Sequence, residues 1–306
     1  MNKIKRSFDM ALTNDDLVLC YNKGKGLFLW SMEREVIISS TSKVSTSYLC
    51  FSGDGKKIAA ATENPSSIVV YKNDELDKPI FRYKFISRFS PLITCIKDTN
   101  TFFVGCHDSI YYIDPAKDTV IKIYQTDDGY CKYLTYNNSR VFVVFGRMKS
   151  NEYSSVCVEL LVRLSENVDE AGEISPDIIE IKSYDMTETA EWFVETSRGE
   201  KYIATNGLTH KIYCIAEDDT MEKVYELSSF VGRCFVSGEK GIAGIVVQND
   251  NEETIRLISL KRNAKQIFER KEPHYICYPS ISNSGNYLLI PHTKESKIVS
   301  IKDLDI

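Results

Sequence analysis

An all-β fold, seven four-stranded antiparallel sheets set radially around one axis, is what this 306-residue sequence predicts. Three observations predict it. First, similar short stretches recur roughly every forty residues. The clearest, Phe51-Ser52-Gly53-Asp54-Gly55-Lys56-Lys57-Ile58-Ala59-Ala60, reads as a strand, a tight polar turn and a second strand; Ile281-Ser282-Asn283-Ser284-Gly285-Asn286-Tyr287-Leu288-Leu289 is a weaker copy. Second, the apolar residues that open the second strand of each copy, Val18, Ile58, Phe103, Phe142, Ile203, Ile242 and Leu288, stand 40, 45, 39, 61, 39 and 46 residues apart. Five of these six intervals fit the ~40–45 residues of one four-stranded blade. Third, β-branched and aromatic residues dominate the stretches between polar turn clusters. The expected architecture is a seven-bladed β-propeller, one domain over residues 1–306.

Each copy continues into a third strand: Leu27-Phe28-Leu29-Trp30, Ile68-Val69-Val70-Tyr71, Ile110-Tyr111-Tyr112-Ile113, Val156 to Val162, Lys211 to Ile215, Ile255 to Leu260 and Lys297 to Ile301. A more polar fourth strand follows in most, as in Pro79 to Tyr83, Val120 to Tyr124 and Lys265 to Phe268, as suits a water-exposed outer edge. The interval of 61 marks an insertion of about twenty residues in blade four, around residues 149–178. The seventh copy ends one strand short at Ile306, while Ile4-Lys5-Arg6-Ser7-Phe8 precedes the first. Pairing residues 4–8 with 297–301 would supply the missing outer strand and close the ring, leaving no open sheet edge there.

Composition narrows the partners. Net charge is −5, with no long basic block, which argues against sequence-independent binding to nucleic acid. No stretch reaches the ~18 apolar residues of a membrane span, and the start of the chain lacks the apolar run of a signal peptide. Nine cysteines, none in a C-x-x-C pair or at zinc-ligand spacing to a histidine, fit free thiols in a reducing cytoplasm. Neither a metal nor a cofactor is expected.

The segment Ser52-Gly53-Asp54-Gly55-Lys56-Lys57-Ile58-Ala59-Ala60 is similar to the Ser-Pro-Asp-Gly-Lys turn of WD40 and YVTN-type repeats, and Leu29-Trp30-Ser31 sits where that family places its Trp-Asp. The resemblance spans almost the whole chain and implies architecture. The chain has no Trp-Asp dipeptide and no Gly-His opener, so the family's Asp-His-Ser/Thr-Trp hydrogen-bond chain is not expected within its blades. Apolar packing between neighbouring sheets is expected in its place.

Four groups of residues are candidates for function. Cys50, Cys95 and Cys234 occupy equivalent positions on inner strands, either as a thiol group near the channel or as compact apolar filling. His107, His210 and His292 occupy turns after second strands, which should share one face; with His274 they are either a cluster or solvated turn residues. The insertion Ser165 to Asp177 carries Glu166, Asp169, Glu170, Glu173 and Asp177 and no cation, so it is an acidic docking loop or a solvated excursion between the third and fourth strands. Lastly, Tyr48, Lys132, Glu191, Trp192, Arg233 and Tyr275 begin inner strands, and are expected to ring the channel mouth on the face opposite the histidine turns. Aromatic and arginine side chains of this kind anchor interfaces, though they also pack between blades.

No Gly-x-Ser-x-Gly or phosphate-cradling glycine loop occurs. The expected role is therefore a non-catalytic protein-interaction platform in the cytoplasm, monomeric and bound to another protein. The alternative is an enzyme of lactonase or lyase type acting at the channel mouth.

Overall fold

The computed structural model describes residues 2–304 apart from 6, 8, 14–16, 23–25, 43–44, 47, 150–151, 165–175, 230, 251 and 283. Seven four-stranded antiparallel sheets, the expected blades, make up the fold. The inner strands, in blade order, are Asp9–Thr13, Tyr48–Phe51, Leu92–Cys95, Tyr130–Asn137, Ala190–Glu195, Val231–Ser237 and the short Ser280–Ile281. In blades one to six the chain moves outward strand by strand. Blade seven is completed by the N-terminus, whose strand Asn2–Lys5 lies beside Glu295–Ser300.

Blade closure differs in register from the expectation. The pairs are Asn2 with Ile298, Lys3 with Lys297, Ile4 with Ser296 and Lys5 with Glu295, not residues 4–8 with 297–301. Burial sets this register. Ile4 is the apolar residue that enters the core, packing with Met10, Leu12, Trp30, Leu289 and Ile298. By Ser7 the chain has left the ladder; its amide donates to Ser296 Oγ (3.0 Å) before blade one begins at Asp9.

The core is divided between blades. Among the described residues the buried apolar side chains form seven clusters, one for each blade–blade interface. Alternation along each strand explains this. In blade two, Ile58 and Ala60 face blade one while Ala59 and Ala61 face blade three. Second and third strands thus bury both faces, which is why they read as continuous apolar runs.

The recurring polar turn has a common hydrogen-bond scheme. In blade two the Lys57 amide donates to Ser52 Oγ (2.9 Å), Ser52 Oγ donates to Asp54 Oδ1 (2.7 Å), and Gly55 takes a φ of 70°. In blade seven the Tyr287 amide donates to Ser282 Oγ (3.1 Å) and Gly285 has a φ of 67°. The third residue of the stretch is glycine for another reason. A Cβ on Gly53 would stand 2.2 Å from the Ile96 carbonyl oxygen, because Gly53 bridges to Lys97 of the next blade.

Buried carboxylates add a second kind of tie. Glu159 of blade four, 1% exposed at its side chain, accepts from Arg140 and from Lys201 of blade five (2.7 Å). Glu272 of blade six likewise holds Arg270 and Lys297 of blade seven. Glu253 of blade six accepts from the Ile276 amide (2.7 Å), Gln248 and Arg233. Apolar packing between sheets is therefore joined by charged links that residue spacing did not predict.

Blade four is the longest. Its third strand, Glu152–Leu164, has 13 residues and its outer strand, Pro176–Met186, has 11, so part of the inserted length lengthens the sheet. Pro176 and Asp177 belong to that outer strand and not to a loop; Asp177 pairs with Arg163 and is exposed. Glu166, Asp169, Glu170 and Glu173 lie outside the described residues. Among the described residues no helix is long and apolar enough to cross a membrane.

Candidate protein-binding face at the channel mouth

In a blade whose strands alternate in direction, the entry to the inner strand and the turn between second and third strands fall on the same face. The histidine turns and the inner-strand starts therefore share a face, correcting the expectation that they are opposed. Contacts show it directly: the Cys131 amide donates to the His107 carbonyl (2.6 Å), and His292 Nε2 bonds the His274 carbonyl (3.0 Å).

On this face a cavity of about 840 Å³ opens at the channel mouth, over the inner strands of blades one to four and seven. Its rim is aromatic: Tyr48 (39% exposed), Phe89 (44%) and Tyr278 (59%), with the half-buried Tyr130. Phe89 lies in the connection leading into blade three. Its ring stacks on Tyr130 (centroids 5.2 Å apart, 8° between planes) and on His107 (5.6 Å, 17°). Three rings from three segments thus form a fixed stack. Ile86, in the same connection, is fully exposed.

Charges around the cavity are mixed, with Asp9, Glu63, Arg88 and Lys132 contributing. Burial pushes the Asp9 carboxyl up to about 7, against hydrogen bonds from the Met10 and Leu49 amides. Burial likewise raises the Tyr48 hydroxyl to about 12. Lys132 Nζ donates to the Ala190 carbonyl (3.1 Å) and to Glu191 Oε1 (3.4 Å), fixing blade four to blade five at the rim.

The structure gathers some of the six proposed mouth residues and disperses others. Tyr48 and Lys132 line the cavity, and Glu191 reaches it through Lys132. Tyr275 is on the same face, 67% exposed, with a φ of 84°. Arg233 is held by the buried Glu253 (3.4 Å). Trp192 is a correction: at 1% exposure it packs between blades five and six with Val194, Tyr202 and Ile245, so its ring presents nothing to a partner. Both faces of this strand are covered by neighbouring blades, Ala190 and Phe193 packing toward blade four and Trp192 and Val194 toward blade six, with a β-bulge between Ala190 and Trp192. Sequence reasoning missed Asp9, Phe89, Tyr130 and Tyr278. Three are aromatic or acidic residues at or just before inner strands, and Phe89 is an aromatic in a polar connection, Ser87-Arg88-Phe89-Ser90.

The histidines do not converge. His210 is buried between blades five and six, with Nδ1 3.6 Å from Cys234 Sγ. Burial lowers this imidazole to about 4 and raises the Cys234 thiol, so the pair is held neutral, the reverse of an activated thiolate–imidazolium couple. His107 is exposed beside Asp108 (3.5 Å). Among the described residues no three His, Cys, Asp or Glu side chains are placed to hold a metal ion. Of the three equivalent cysteines, Cys50 and Cys95 meet in the cluster between blades two and three, while Cys234 stands apart.

Comparison with solved structures finds the same β-propeller fold in other proteins, among them the RRP9 WD40 repeats, with a TM-score of 0.67 at 9% identity over 98% of this chain and 96% of that one. The chain is similar to U3-55K, with a TM-score of 0.68 at 9% identity over 98% of this chain and 97% of that one. It is similar to the Cps50 (Swd1) β-propeller domain of Myceliophteria thermophila, at 0.67 and 11% over 98% and 99%. It also matches Raptor of Chaetomium thermophilum, at 0.71 and 9%, over 99% of this chain and 29% of that one. No protein-family model and no curated protein sequence matches the chain.

Proposed function

We propose that the protein is a non-catalytic interaction platform that binds another protein through the face bearing the channel mouth. The observation that carries this is the Tyr130–Phe89–His107 stack beside Tyr48 and Tyr278. Large rings already fixed by stacking lose little side-chain freedom on docking, and aromatic residues supply most interface hot spots. WD40 propellers generally serve as protein-interaction scaffolds, and this chain is similar, at 11% identity and a TM-score of 0.67, to a chain in the structure of a mitotic checkpoint complex. Nine free cysteines support a reducing, cytoplasmic setting, and the net charge of −5 supports a protein partner over a nucleic acid.

The test is capture from native lysate with the wild-type chain and with the Phe89→Ala, Tyr278→Ala double variant, both checked by circular dichroism. Wild type should retain a discrete partner that the folded variant loses. Equal retention by both would place the binding elsewhere.

A further inference from the structure

We infer that Val36–Thr41, the outer strand of blade one, is a self-association edge that pairs with the same strand of a second copy about a twofold axis. The strand has one neighbour, Gly26–Ser31, so its other edge is unpaired. Val36, Ile37 and Ile38 are each about half-exposed, and no other three consecutive large apolar residues are exposed among the described residues. Outer edges are guarded against other chains by bulges and by charge. Bulges occur in the outer pairing of blades one to six alike. Charge does not: the outer strands of the other six blades each carry at least one charged residue, whereas Val-Ile-Ile-Ser-Ser-Thr carries none. The polar half of the strand is tied to blade two, where the Leu76 amide donates to Ser39 Oγ (3.4 Å), so the apolar half is the part open to a partner.

The order of residues selects a second copy as the occupant. Antiparallel pairing centred on Ile37 sets Ile37 opposite its own counterpart and Val36 opposite Ile38, so the three apolar side chains of each copy meet those of the other. The flanking Glu33, Arg34 and Glu35 then fall opposite Thr41, Ser40 and Ser39, and no like charges oppose one another. In blade three the same operation, centred on the outer strand Thr119–Gln125, sets Lys122 against Lys122. Two edges this short bury an area at the small end of protein interfaces, so the dimer is weak. The chain is then a monomer when dilute and a dimer when concentrated. The edge lies on the rim of the disc, so the inference is independent of the partner proposed at the channel mouth.

The experiment is sedimentation equilibrium of the full chain from about 1 to about 200 μM, a range that brackets weak self-association. Wild type should pass from monomer to dimer. Ile37→Lys and Ile37→Glu, each confirmed as folded by circular dichroism, should weaken the dimer by about tenfold or more. An equimolar mixture of the two should regain association, since lysine then faces glutamate across the axis. Ile181→Lys, at a half-exposed residue of blade four's outer strand, should dimerise like wild type. A wild type that stays monomeric throughout the range, which would leave the edge to a different protein or to none, would overturn the inference. So would a dimer insensitive to Ile37→Lys, or a mixture that associates no better than either variant alone.

Discussion

Glu159 shows how single side chains hold neighbouring blades. Its carboxylate is buried and accepts from Arg140 within its own blade and Lys201 in the next. The cations are partly exposed, so removing the carboxylate lets them turn toward water and softens the loss. Glu159→Ala should cost about 3 kcal/mol in urea unfolding, the low end for breaking a buried pair. A loss below about 1 kcal/mol would assign the stability to apolar packing alone. His210 makes a pH prediction. Its folded imidazole is lowered by burial to about 4, below the ordinary 6.5, so the unfolded chain takes up the proton first. Its contribution is complete above pH 6.5 and is lost as pH falls toward 4, by about 3 kcal/mol in all. Asp9 has the opposite sign: its carboxyl is raised to about 7, so its contribution is present below pH 3.8 and is lost as pH rises through 7. An Asp9→Asn variant should therefore lose stability more steeply than wild type between pH 6.5 and 4. Parallel profiles would contradict the Asp9 assignment, and an Asp9→Asn profile that stays flat from pH 6.5 to 4 would contradict that of His210.

At the scale of strands and turns, the sequence was informative where a periodic pattern had a single physical cause. Val18, Ile58, Phe103, Phe142, Ile203, Ile242 and Leu288 all prove fully buried, because second strands bury both faces whatever the blade. Ser52 and Gly55 announced a turn whose hydrogen bonds recur at Ser282 and Gly285. The closing register was missed by five residues: Ile4 pairs with Ser296 and not with residue 301, an odd slip that sets it on the face of Ile298. Two predictions belong here. Removing residues 1–5 deletes the outer strand of blade seven and the buried Ile4, and should lower the melting temperature by roughly 5 °C or more. An unchanged melt would show that closure contributes nothing. Gly53→Ala should destabilise by about 1–3 kcal/mol, since its Cβ would press on the Ile96 carbonyl and force blades two and three apart. A neutral effect would mean that the interface yields freely.

For the molecule as a whole, seven interblade clusters make a rigid disc, and one face of it carries the cavity and its aromatic rim. That face was only partly legible. Tyr48 and Lys132 were identifiable because they begin inner strands, but Phe89 lies in a connection, where no periodicity marks it. Trp192 was misplaced because both faces of its inner strand are buried between blades, so a position near the strand's start does not expose the ring. The histidine turns share this face with the inner-strand starts because two strand reversals separate them in each blade. Likeness to other propellers at 9–11% identity carries the fold and leaves the partner to this face. The most direct test puts a photo-reactive phenylalanine analogue at position 278, on the mouth, or at position 181, on the outer strand of blade four, where Ile181 is half-exposed. After irradiation in native lysate, position 278 should cross-link to a discrete partner and position 181 should not. A partner captured from position 181 and not from 278 would contradict binding at the channel mouth.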